Sequence, residues 1–187
     1  MAATCDCGQQ FKLYRGSDNR EYESQTDTYR CGPVAVRNAL RFLGRQPGRA
    51  TMRRICTICD ARPKQPDGFG GTYPDRLMAA LTAVLPAAIH HTVGAAAVKQ
   101  MMLDPKYKAF IVLYSGLKAG TRTQVRYYHY VFVWRDRSQY FVQNEMEGEE
   151  FIVRASQLDS EYLEECVRCD IQFPQCWALV QPAPQAT

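Results

Sequence analysis

The stretch Gln25-Thr-Asp-Thr-Tyr-Arg-Cys31-Gly-Pro-Val-Ala-Val-Arg-Asn-Ala-Leu-Arg-Phe-Leu-Gly44 decides how the rest of the chain is read. From Pro33 onward, Ala35, Val36, Ala39, Leu40 and Leu43 recur at helical spacing, Arg37 and Arg41 fall on the other face, and Gly44 stands where a helix usually stops. This pattern predicts a helix that starts at Cys31. Pro33 suits its first turn, where the missing N–H would have no partner anyway, and Gly32 lets the chain turn sharply out of the preceding loop. The sulfur then sits at the positive end of the helix dipole, where a thiolate gains roughly 0.3–1 kcal/mol and becomes reactive near neutral pH.

Gln25 lies six residues upstream (31 − 25), in a polar run read as irregular. An uncharged side-chain amide there can fold back beside the thiol and donate to an oxyanion. Gln-x5-Cys-Gly-Pro followed by a small, apolar helix resembles the papain-like cysteine peptidases. It is closest to the double-glycine leader peptidases that process bacteriocin precursors, and to their stand-alone relatives.

The whole chain sets bounds on this reading. Its 187 residues, 46% of them hydrophobic, are enough for one domain with a real core and no covalent staples. The net charge of +4 is mild and the arginines, scattered among helices and turns, read as a solvated surface, so nucleic acid is not an expected partner. Met1 to Gly8 has neither a basic nor an apolar export region, and no stretch has the roughly 18 apolar residues of a membrane helix. A soluble, cytoplasmic protein without membrane insertion is expected.

The eight cysteines include two Cys-x-x-Cys pairs, Cys56/Cys59 and Cys166/Cys169, besides Cys5, Cys7, Cys31 and Cys176. Two such pairs can build a tetrahedral zinc site, but Thr51–Asp60 reads as a helix with Met52, Ile55, Cys56 and Cys59 on one apolar face. Core packing is the expectation there, with no metal and no cofactor. Disulfides are disfavoured by the missing export signal.

Taken in order, residues 1–24 form a polar extension, 25–105 a helical half, 106–181 a sheet half and 182–187 a tail, all within one domain. Helices are expected at Cys31–Leu43, Ala50–Cys59, Tyr73–Leu85, Gly94–Leu103 and Ser156–Glu165. Strands are expected at Ala109–Tyr114, Tyr127–Trp134, Gln139–Asn144, Glu150–Arg154 and Cys176–Gln181, forming an antiparallel sheet. The Gly68–Thr72 run lacks the Lys-Ser/Thr ending of a phosphate loop. The glycine-flanked Thr72 before a helix fits the leader-peptidase pattern instead.

The resemblance implies an α+β, papain-like fold, with the helical half that carries the nucleophile packed on the sheet. It also supplies the partners of Cys31. Of the three histidines, His90 and His91 follow an alanine-rich helix end and read as caps or solvated groups, whereas His129 opens a strand where the leader peptidases carry their base. The next strand ends at Asn144, where the family places an Asp. An amide oxygen there gives the Cys-His-Asn combination of papain, with Glu145 the alternative one residue on. The implied activity is a cysteine peptidase acting on a peptide or protein substrate. Cys31 attacks, His129 acts as base and acid, Asn144 orients it, and Gln25 with the Cys31 N–H holds the oxyanion. Two other readings stay open: a transglutaminase or deamidase on the same apparatus, and a non-catalytic peptidase-like module that binds peptides or packs in a viral or other protein assembly.

Overall fold

A computed structural model of the chain describes residues 2–4, 10–25, 29–63, 71–85, 88–116, 127–144, 149–155 and 175–180. Its elements alternate helices with antiparallel strands, an α+β architecture with a six-stranded sheet and a separate three-stranded one. The helix that begins at Cys31 packs on the larger sheet, and the smaller sheet covers its other side.

The smaller sheet is built from the region read as an extension. Strands β1 (Ala2–Thr4), β2 (Gln10–Arg15) and β3 (Glu21–Gln25) pair in that order. Turn chemistry closes the β2–β3 hairpin: Asn19 adopts a left-handed φ of 63°, its N–H bonds to the Gly16 carbonyl at 3.0 Å, and the Asp18 carboxylate accepts from the Arg20 N–H at 3.0 Å. Gln25 thus ends a strand rather than lying in irregular chain, because the ladder with β2 runs through Phe11↔Gln25.

Helix α1 (Cys31–Phe42) is buried along all twelve of its residues. Its apolar stripe of Ala35, Val36, Ala39 and Leu40 packs on the large sheet, as the spacing predicts. The opposite stripe corrects the expectation of a solvated face. Glu23, fully buried on β3, accepts from Arg37 Nε at 2.5 Å and from Arg41 Nη2 at 2.7 Å. Asn38 pairs with the backbone of the same residue, accepting from the Glu23 N–H at 2.7 Å and donating to its carbonyl at 3.0 Å. Two guanidiniums tolerate burial here because one carboxylate and the Gln46 amide satisfy them together.

The remaining helices are α2 (Arg49–Cys59), α3 (Pro74–Val84) and α4 (Ala95–Leu103). Met52, Ile55 and Cys59 are the buried face of α2, while Cys56 is only half-buried and receives the Arg37 guanidinium at 3.7 Å. Pro74 opens α3 at its first position, and Leu77, Ala80 and Leu81 point inward.

The large sheet runs β4-β9-β5-β6-β7-β8, with β4 (Ala88–Val93), β5 (Ala109–Gly116), β6 (Tyr127–Asp136), β7 (Gln139–Asn144), β8 (Glu149–Arg154) and β9 (Gln175–Val180). Every neighbouring pair is antiparallel. One face carries Ile111, Leu113, Tyr130, Phe132, Trp177 and Leu179 against α1 and α3. The other carries Phe110, Val112, Val131, Val133, Cys176 and Ala178, with Val98 and Met102 of α4 among them. Tyr140 Oη and Arg135 Nη1 donate to the Met102 carbonyl at 2.8 and 3.0 Å, which satisfies the C-terminal end of α4.

Strand β4 is a second correction, since it places His90 and His91 in the sheet and not at a helix end. Ile89, Thr92 and Val93 are β-branched, and β9 supplies a complete ladder from Ala88↔Val180 to Val93↔Gln175. The helix expected at Ser156–Glu165, the residues 64–70, and Cys5, Cys7, Cys166 and Cys169 lie outside the described residues. No helix among the described residues is long and apolar enough to cross a membrane.

The Glu23 cluster generates a stability prediction. Glu23→Gln leaves two buried guanidiniums without a counter-charge, and breaking such a pair costs about 3–5 kcal/mol. Asn38→Ala removes only the two neutral bonds and should cost about 1–3 kcal/mol. Urea unfolding of both variants should rank them in that order; equal costs would show that the charge contributes nothing.

Candidate active site

The first turn of α1 is the centre of the candidate site. Arg30 occupies the N-cap position but makes no side-chain capping bond, and no acidic residue sits in the first turn. Pro33 has no N–H, so the backbone donors left at this end are those of Cys31 and Gly32. Cys31 is 3% exposed and belongs to the cluster between α1 and the large sheet.

A second element closes on this turn from α2. Asp60 ends α2 in a left-handed conformation (φ 45°), and Arg62 and Gly71 then form a two-bond bridge, Gly71 N to Arg62 O at 2.7 Å and Arg62 N to Gly71 O at 3.3 Å. The bridge delivers the next residue, Thr72, onto Gly32. A Cβ on Gly32 would stand 2.6 Å from Thr72 Oγ1 and 2.7 Å from its Cβ, so only glycine fits at position 32. Tyr130 Oη donates to the Thr72 carbonyl at 3.1 Å and fixes the other side of that residue.

The groups around Cys31 are thereby Thr72, Tyr130 and Cys59. Burial pushes the Tyr130 hydroxyl well above its ordinary pKa, and the neighbouring Cys31 and Cys59 sulfurs push the same way. Burial also drives the Cys59 thiol far up, followed by the field of Cys56. The Cys56 thiol is raised by burial as well, against the opposing fields of Arg37 and Arg30. Both helix cysteines are neutral thiols near pH 7. A polar pocket of about 240 Å³ opens beside the same turn, with Arg30 and Pro33 on one wall and Cys56, Thr57, Asp60 and Ala61 on the other.

The partners expected for Cys31 are placed as follows. His129 is 3% exposed on β6, where it pairs with Tyr114 and precedes Tyr130. Alternation along the strand gives it the parity of Val131 and Val133, the α4 side, whereas Tyr130 shares the α1 side with Cys31. Among the described residues no hydrogen bond is seen between Cys31 and His129, and His129 has contacts of its own. Asn144 ends β7 opposite Glu149, and Gln143 before it pairs with Phe132, so the Asn144 and His129 positions have the same parity. The side chains of Gln25 and Asn144, and all of Glu145, lie outside the described residues. The backbone of Gln25 is two residues past Glu23 and so follows directly from the ion-paired anchor on α1.

His91, on β4, is separated from β6 by two strands. Its ring stacks on Trp177 at 4.8 Å and its Nε2 meets Gln175 Oε1 at 2.9 Å, while Trp177 in turn lies 5.8 Å from the Tyr130 ring. His90 is held by the Tyr107 hydroxyl. Among the described residues, no group of three or more His, Cys, Asp or Glu side chains is gathered where a metal ion could be held.

Tyr130 and Glu23 were not expected at the site. Tyr130 sits in an aromatic strand that offers no sign of which ring meets the thiol, and Glu23 is one acid in a polar run. A consequence follows for the tight contact: Gly32→Ala should lower the melting temperature and slow alkylation of Cys31, because the methyl must displace Thr72 from the first turn. Thermal unfolding together with iodoacetamide labelling measures both; an unchanged melting temperature would show that Thr72 moves away freely. Comparison of the chain with protein-family models and with curated proteins finds no match.

Proposed function

We propose that this chain is a cysteine peptidase of papain-like fold that hydrolyses peptide bonds through Cys31, with His129 as base and acid, Asn144 as its orienter and Gln25 as an oxyanion donor. The observation that carries the reading is the position of Cys31: the first residue of a buried twelve-residue helix, at an N-terminus left without a side-chain cap by Arg30, with Arg30 and Pro33 on either side of it lining a polar pocket.

In this mechanism the sulfur adds to the peptide carbonyl and the oxygen takes the negative charge. The Cys31 N–H and the Gln25 amide hold that oxygen. Collapse expels the amine, which takes a proton from His129, and water activated by the same ring releases the acid from the thioester. The parity of His129 sets a condition: to reach Cys31 its ring must pass from the α4 side to the α1 side, which takes a local change of register at the start of β6. A peptide-binding module without catalysis is the second reading, and the same parity favours it, since such a module leaves His129 where it is.

Labelling separates the two. A glycyl-glycyl chloromethyl ketone, chosen because the resemblance is to enzymes that cut after paired glycines, should leave one adduct on Cys31. His129→Ala should abolish it and His91→Ala should not; labelling that survives His129→Ala would favour the binding module. In turnover assays Gln25→Ala should lower kcat by on the order of 10²–10³ with little change in KM. Asn144→Asp should keep most activity and Asn144→Ala should lose it, but less completely than His129→Ala.

A further inference from the structure

We propose that Thr72 is a further catalytic residue of the Cys31 site, its hydroxyl donating a hydrogen bond to the carbonyl oxygen under attack at the N-terminus of α1. This rests on the reading of Cys31 as nucleophile and adds a donor that the Gln-x5-Cys-Gly-Pro pattern does not contain.

Three observations converge on it. Thr72 is 3% exposed, yet its Oγ1 has no hydrogen-bond partner. Leaving a buried hydroxyl unsatisfied costs about 1–3 kcal/mol, so the group is expected to gain a partner at some stage of the working cycle. Second, the hydroxyl is pressed on the backbone of Gly32, beside the Cys31 and Gly32 donors that lack a side-chain cap from Arg30. A hydroxyl beside uncapped helix-terminal N–H groups favours developing negative charge there. Third, the position is not slack: the Arg62–Gly71 bridge, Tyr130 Oη and Pro74 at the start of α3 hold Thr72 on both sides. Its neighbour Cys59 lies close enough for the hydroxyl to favour its thiolate, but the pair does not meet hydrogen-bond geometry, and a thiol is a weak partner for a hydroxyl.

The test compares two reactions at one sulfur. With p-nitrophenyl acetate, Cys31 Sγ adds to the ester carbon, the C=O electron pair moves to oxygen, and collapse expels p-nitrophenolate to leave an acetyl thioester. With iodoacetamide, the same sulfur displaces iodide and no oxyanion forms. Thr72→Val should slow acetylation on the order of 10²-fold while leaving the alkylation rate unchanged, and Thr72→Ser should restore most of the acetylation. Equal losses in both reactions would assign Thr72 to holding the helix end and overturn the proposal, as would no loss in either. Thr72→Ala, judged by the same ratio, serves as the hydroxyl-free variant if Thr72→Val does not fold. A wild-type protein whose Cys31 reacts no faster than Cys56 with either reagent defeats the nucleophile reading itself, a failure visible without any Thr72 variant.

Discussion

One carboxylate holds two layers of this protein together. Glu23 leaves the small sheet, enters the interior and meets Arg37 and Arg41 on consecutive turns of α1, while Asn38 between them treats the Glu23 backbone as a strand neighbour would. Charges this deep are favourable only when the geometry is complete, and here both carboxylate oxygens and both guanidiniums are bonded. The helix is therefore fixed in rotation as well as position. A helix packed only on an apolar stripe could roll by a fraction of a turn at small cost, whereas one whose outer face is keyed to a single carboxylate cannot. The direction in which the first residue, Cys31, presents its sulfur is set from the other end of the helix.

The surroundings of Cys31 are likewise assembled from distant pieces. The Arg62–Gly71 bridge brings Thr72 to Gly32, and β6 brings Tyr130 to the Thr72 carbonyl. Each arrives on backbone that is hydrogen-bonded elsewhere, which holds it in place. Gly32 and Thr72 depend on each other sterically, since the hydroxyl occupies the volume of the missing side chain.

Much of this was legible in the sequence. The periodicity of Ala35, Val36, Ala39 and Leu40 located α1, and the β-branched and aromatic runs located β5 to β9 within a residue or two. Periodicity reports which stripe is apolar; it is silent on whether a polar stripe meets water or a buried partner. Arg37 and Arg41 looked solvated for that reason, because the deciding residue, Glu23, is 14 and 18 positions away. His90 and His91 looked like the end of a helix because the preceding alanines favour one, and the strand that claims them lies more than eighty residues further on. Of the site, Cys31, Gly32 and Pro33 announce themselves by local geometry. Tyr130 and the orphaned Thr72 hydroxyl depend on contacts between elements, which no local pattern encodes.

The order β4-β9-β5 has a consequence for how the chain comes to be folded. The strand that is last among those described sits between two that precede it by at least 59 residues (175 − 116), so β5 stays unpaired along one side until residues 175–180 arrive. Loop closure of that length is slow, and the β5 edge left open meanwhile is the apolar run Phe110-Ile-Val-Leu113. During synthesis the helices and the β5–β6 ladder emerge first and must wait with this edge exposed. Ribosome-bound chains that stop short of β9 are the ones on which a strand-binding chaperone, or another copy of the chain, would find its most accessible target.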